Sequence, residues 1–204
     1  LGNAFQQPVL EVLNGEKYQL LRHAHREKKF EEANATYGRA LALFQDGPKP
    51  DMANSYNSLG NVYLTKKPRI ALWYYSKALT VRLLEHGQEH ETVASSYNHV
   101  GLACLKMKEY DRAIAYFKGS MGIFQRLNPS PKNAHLAAGH SFIGSAHKAK
   151  KEHEEAVRHY EKALDIFIKV FDQKHPAVAQ AKHELGLALI EKGGEKKKAK
   201  ALLL

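Results

Sequence analysis

Cysteine is nearly absent from this 204-residue chain: Cys104 stands alone, which excludes an internal disulfide framework and any CxxC metal site. No run approaches the roughly 18 uninterrupted apolar residues of a membrane-spanning helix. The N-terminal LGNAFQQPVL lacks the basic start and apolar stretch of a secretion signal, so a cytoplasmic setting is expected. Acidic residues are in deficit: 21 Asp and Glu face 31 Lys and Arg, and the formal charge of +10 favours acidic partners. No glycine-rich loop of the phosphate-cradling kind is present. Gly139-His140-Ser141-Phe142-Ile143-Gly144 has one residue too many for a nucleophile elbow and falls where a helix is expected. His153-Glu154 and His183-Glu184 meet Val157 and Leu187 where a second zinc ligand would be needed. The 12 histidines are scattered without a shared spacing. The expectation is a chain with no catalytic residues, no cofactor, no metal site and no small-molecule substrate.

What the chain has instead is repetition. Leu59-Gly60, Val100-Gly101, Ile143-Gly144 and Leu185-Gly186 recur at intervals of 41, 43 and 42 residues, each inside a stretch with apolar or small residues three to four apart. That spacing is one face of a helix. A polar turn and a second helix follow each time, with Ala71, Tyr75 and Ala78, Ala113, Phe117 and Ser120, or Ala156, Tyr160 and Ala163 on its own apolar face. Small residues let paired helices approach, and the aromatic fills the space between them. Pro68 stands at the start of one second helix, and Pro131 and Pro176 near the starts of two first helices, where a missing N–H costs little. The fold expected is all-α, a solenoid of antiparallel helix pairs running through residues 1–204 as a single array. About four and a half repeats are expected, at 10–46, 50–86, 90–127, 132–172 and 175–204, the last incomplete or divergent. A start at Leu1 and a Leu202–Leu204 end suggest a domain taken from a longer protein.

Tyr56, Leu59, Gly60, Tyr63, Ala71, Tyr75 and Ala78 resemble the pattern of the tetratricopeptide repeat, whose usual length is about 34 residues. The longer units here, opening with His175-Pro176-Ala177-Val178-Ala179 or His90-Glu91-Thr92-Val93-Ala94, are similar to the repeats of kinesin light chains. The heptad segment that binds a motor heavy chain in those proteins is not found in these residues. The resemblance implies a right-handed superhelical solenoid and a non-enzymatic adaptor or scaffold whose first helices line a concave groove.

In that groove the resemblance places Arg22, His25 and Arg26, then Asn54, Asn57 and Asn61, then Asn98 and Lys106, then Ser141, Ser145 and Lys148, and finally His183. Asparagine at successive equivalent positions, Asn57 and Asn98, suits an extended peptide because its amide both donates and accepts. The basic residues suit an acidic ligand. The carboxylate clamp of chaperone-binding relatives is not kept, since Asn57, Asn61, Ser95 and His99 stand in its place. The expected partner is an acidic peptide or protein, with a kinesin- or cytoskeleton-associated assembly as its narrower form. Two other classes are weighed beside it. One is an architectural module that self-associates through its ends or through an exposed Trp73. The other is an electrostatic nucleic-acid or anionic-surface binder using Lys196, Lys197, Lys198 and Lys200, disfavoured because no aromatics interleave with the lysines.

Overall fold

A computed structural model describes residues 49–193 together with Ala199 and Leu202. Among the described residues there are seven helices and no strand: α1 (Lys49–Tyr63), α2 (Pro68–His86), α3 (Glu91–Lys106), α4 (Tyr110–Leu127), α5 (Ala134–Ala149), α6 (His153–Val170) and α7 (Pro176–Lys192). The fold is an all-α array of repeated helix pairs. No helix among the described residues is long and apolar enough to cross a membrane.

The chain divides into two compact units after Glu85. In the first, α1 packs on α2 through Ala53, Leu59 and Tyr63 on one side and Ala71, Tyr75 and Ala78 on the other, all buried. In the second, α3 packs on α4, α4 on α5, α5 on α6 and α6 on α7, with α3 also touching α5. Ala199 and Leu202 join the cluster that Ala156, Tyr160, Val178, Leu185 and Leu189 form between α6 and α7.

The Leu-Gly steps have a steric reason. A Cβ on Gly101 would lie 2.6 Å from the Phe117 ring, and one on Gly144 would lie 3.0 Å from the Tyr160 ring. Gly60 stands in the same relation to Tyr75. Each glycine is therefore the floor on which the aromatic of the following helix lies, and each aromatic is fully buried.

Helix ends follow from local chemistry. Nδ1 of His90 and Nδ1 of His175 accept from the backbone N–H of Thr92 and Ala177, each at 3.2 Å, so the opening histidine of each repeat phrase is an N-cap. Asn133 does the same for α5, accepting from His135 N–H at 3.0 Å. Pro176 is the first residue of α7, and Pro68 the first of α2. The turns leaving α3 and α5 carry non-glycine residues in the left-handed region, Lys108 at φ 64° and Lys151 at φ 66°. Around them Glu109 N–H donates to Cys104 O and Glu152 N–H to His147 O, both at 2.9 Å, which closes the helix ends.

Candidate functional site

On α1, Asn54 is exposed and its Oδ1 accepts from Arg82 Nη2 at 3.0 Å. Burial lowers the basicity of that guanidinium, while Glu85 opposes the effect. Asn61 is exposed, but its Oδ1 takes the Tyr75 hydroxyl at 2.7 Å. Asn57 is half-buried, and its amide oxygen is buried without a hydrogen-bond donor among the described residues.

In the second unit, Asn98 on α3 repeats the arrangement of Asn57: half-buried, its amide oxygen enclosed and undonated among the described residues. A buried acceptor left in this state costs about 1–3 kcal/mol until something donates to it. Lys106, at the end of the same helix, is exposed and forms no ion pair among the described residues. The Ser145 hydroxyl donates to the Ser141 backbone oxygen at 3.0 Å, and Ser145 Oγ also meets the Tyr160 hydroxyl at 3.0 Å. Lys148 lies 3.1 Å from Glu184 Oε2 on α7 and 5.8 Å from the Tyr160 ring centroid. Glu184 is further held by Gln180 Nε2 at 2.9 Å. His183 is exposed beside it. Arg22, His25 and Arg26 lie outside the described residues.

The candidate residues thus differ in what they can offer. Lys148 is already matched by Glu184, so its charge is largely spent within the fold. Asn61 and Ser145 serve buried tyrosine hydroxyls, and burial raises both of those phenols well above the usual range. Asn57, Asn98 and Lys106 retain unmatched hydrogen-bonding or charge capacity. Glu184 is the residue that sequence reasoning missed, because its partner lies 36 positions away.

A second grouping lies between α5 and α6. Nδ1 of His140 is 3.0 Å from Nδ1 of His159, and the His147 ring stacks on His159 with centroids 5.5 Å apart. Nδ1 of His147 is 2.6 Å from Glu152 Oε2. The Glu152 carboxyl is held below its usual range by His147 and then by Lys150. Burial, helped by His140, His147, Lys162 and Arg158, pulls His159 down to about 4, and burial with Lys162 lowers His140. His140 and His159 are therefore neutral at pH 7. They look scattered along the sequence, but they meet in space.

The model of the tetratricopeptide repeat family matches residues 51–126 and 135–204. No curated protein sequence matches the chain. Among solved structures, BtubC (BKLC) from P. vanneervenii superposes with a TM-score of 0.80 at 21% identity, covering 98% of this chain and 81% of that one. A candidate kinesin light chain from Podosopora anserina with nearly identical TPR-like repeats gives 0.73 at 19% identity, covering 92% and 90%. A Rap protein complexed with competence and sporulation factor gives 0.72 at 16% identity, covering 91% of this chain and 50% of that one.

Proposed function

Since the chain belongs to the tetratricopeptide repeat family, in the long kinesin-light-chain-like form of that repeat, we propose that it is an adaptor that holds an extended, acidic peptide segment of a partner protein on its first-helix faces. The observation that carries this reading is the pair of enclosed amide oxygens on Asn57 and Asn98, at the same place in two repeats, each without a donor among the described residues. A peptide backbone N–H supplies the missing donor. Lys106, exposed and unpaired among the described residues, supplies charge for an acidic side chain. The formal charge of +10 adds long-range attraction. The reading assigns the chain no chemistry of its own. Its narrower form is attachment of cargo to a motor or cytoskeletal assembly in the cytoplasm.

The test is fluorescence anisotropy against an array of extended acidic peptides, with the best binder titrated into Asn98→Ala, Asn57→Ala and Lys106→Ala. Each asparagine variant is expected to weaken binding by about 1–3 kcal/mol, the range for losing a buried hydrogen bond. Unchanged affinity in both asparagine variants would sink the assignment.

A second reading, lateral self-association, is favoured by Trp73. The sequence allowed it either as packing or as an interface; it is 53% exposed, edge-on to Tyr56 and Tyr74, with Lys77 Nζ 5.4 Å from the ring centroid. Light scattering over a concentration series, with Trp73→Ala as control, separates it from the adaptor reading.

A further inference from the structure

Helix pairs in this chain share a cluster of three places, aromatic in all but one instance. On α1, Tyr56 and Tyr63 stand four residues before and three after the Gly60 step, and both meet Tyr74 of α2, at 6.3 Å and 5.6 Å between centroids. In the α3–α4 pair Tyr97 and Tyr116 keep two of the places, 5.8 Å apart, and Cys104 takes the third. In the α5–α6 pair, counted from Gly144 and from the core Tyr160, the same three places hold His140, His147 and His159, with centroids 5.2 Å and 5.5 Å apart. Since tyrosines already satisfy this packing in α1–α2, imidazoles bring what packing does not require: ring nitrogens with lone pairs.

Those nitrogens are oriented by outer partners. The Nδ1 of His147 donates to Glu152, which leaves the lone pair on Nε2. When His159 donates from Nδ1 to Nδ1 of His140, its Nε2 is likewise left as an acceptor. Hydrogen bonds of this kind fix the tautomer and direction of histidines that bind metal. Glu155, one turn before His159 on α6, adds a carboxylate, and one ligand atom from each of His147, Glu155 and His159 lies within 4.8 Å of the other two.

We propose that His147, His159 and Glu155 form a site for a late first-row divalent cation, Zn²⁺ in the first place, clamped between α5 and α6. Two imidazole nitrogens and one carboxylate oxygen suit Zn²⁺, Co²⁺ or Ni²⁺ over Mg²⁺ or Ca²⁺, and solvent completes the coordination. Bonds of about 2.0–2.2 Å require the ligand atoms, now within 4.8 Å of one another, to close to roughly 3–4 Å. All three side chains are half-buried and so remain open to an entering ion. Arg158 pairs with Glu155 and competes with the ion, but an exposed pair three residues apart on a helix is weakly held.

The experiment is a Co²⁺ titration of the full chain, free of any polyhistidine tag, followed by visible absorption, then by Zn²⁺ competition and by thermal unfolding. Equimolar uptake, displacement by Zn²⁺ and a raised unfolding midpoint are expected. The double variant His147→Tyr and His159→Tyr restores the residues found at these places in α1–α2, so it keeps the packing and is expected to lose equimolar uptake. Glu155→Gln and Glu152→Gln are expected to weaken uptake by about 10- to 100-fold while leaving the circular dichroism unchanged. Failure of the wild-type chain to take up equimolar Co²⁺, or uptake equal to wild type in the folded double variant or in Glu155→Gln, overturns the proposal.

Discussion

The Tyr75 hydroxyl donates to Asn61 Oδ1 at 2.7 Å, and the same relation recurs as Tyr160 with Ser145 at 3.0 Å. Where the core aromatic is Phe117, which has no hydroxyl, the residue after Gly101 is Leu102. The residue following each glycine is thus matched to the tip of the ring that lies over it.

Asn61→Leu removes an acceptor from a ring that is otherwise fully buried and is expected to cost about 1 kcal/mol. Adding Tyr75→Phe recreates the Phe117–Leu102 pairing and is expected to recover most of that loss. Urea unfolding of both single variants and the double variant gives the coupling directly.

Gly101→Ala forces a methyl against Phe117, 2.6 Å away, and is expected to destabilise by about 1–2 kcal/mol, the strain exceeding the gain in helix propensity. Gly122→Ala meets only the guanidinium end of Arg126 at 3.4 Å and is expected to stabilise by up to about 1 kcal/mol. Opposite signs in one denaturation series check the close-approach argument.

Glu184→Gln leaves Lys148 without its carboxylate partner. Affinity for an acidic peptide is expected to rise by about two- to fivefold at low salt, with the gain shrinking at high ionic strength. Anisotropy titrations at two salt concentrations check this; a gain independent of salt would mean that Lys148 does not face the ligand.

Cys104 is completely buried, and burial raises its thiol above the usual range. The folded chain holds that proton more tightly than the unfolded one, so the thiol's contribution to stability is complete below the unfolded pKa of about 8.5 and declines as pH rises past it. Slow thiol modification in the native state, becoming fast in denaturant, is the expected result with a chromogenic disulfide reagent.

Lys151 adopts φ 66° in the turn between α5 and α6. Lys151→Gly removes the left-handed penalty of about 1–2 kcal/mol and restores part of it as chain entropy, for an expected net gain of about 0.5–1 kcal/mol in thermal unfolding.

The helix pairs were legible in the sequence because their determinants are local and periodic. The Leu-Gly steps, the aromatic of the second helix and the helix starts at Pro68 and Pro176 all sit at fixed offsets. The histidine of the His-Pro-x-Val-Ala phrase was legible as a signature but not as a cap. The state of the groove residues was harder to read, since Lys148 is neutralised by a residue on a different helix and Asn61 and Ser145 turn toward tyrosines 14 and 15 positions on. His140, His147 and His159 were hidden for another reason. Their separations of seven and twelve residues match no ligand motif within one helix, and only the repeat frame, with Tyr56, Tyr63 and Tyr74 at the corresponding places, reveals them as a set.

The match between ring and facing residue also constrains how such a chain can be copied. A crossover that exchanges one helix of a pair would bring a tyrosine tip over leucine, or a phenylalanine over asparagine. An exchange cut in the loops between pairs carries both halves together and leaves every hydroxyl with its acceptor. The inheritable module is the hairpin, so tandem duplication can lengthen or reorder the array, while a change at a ring tip is best matched by a change in the residue facing it.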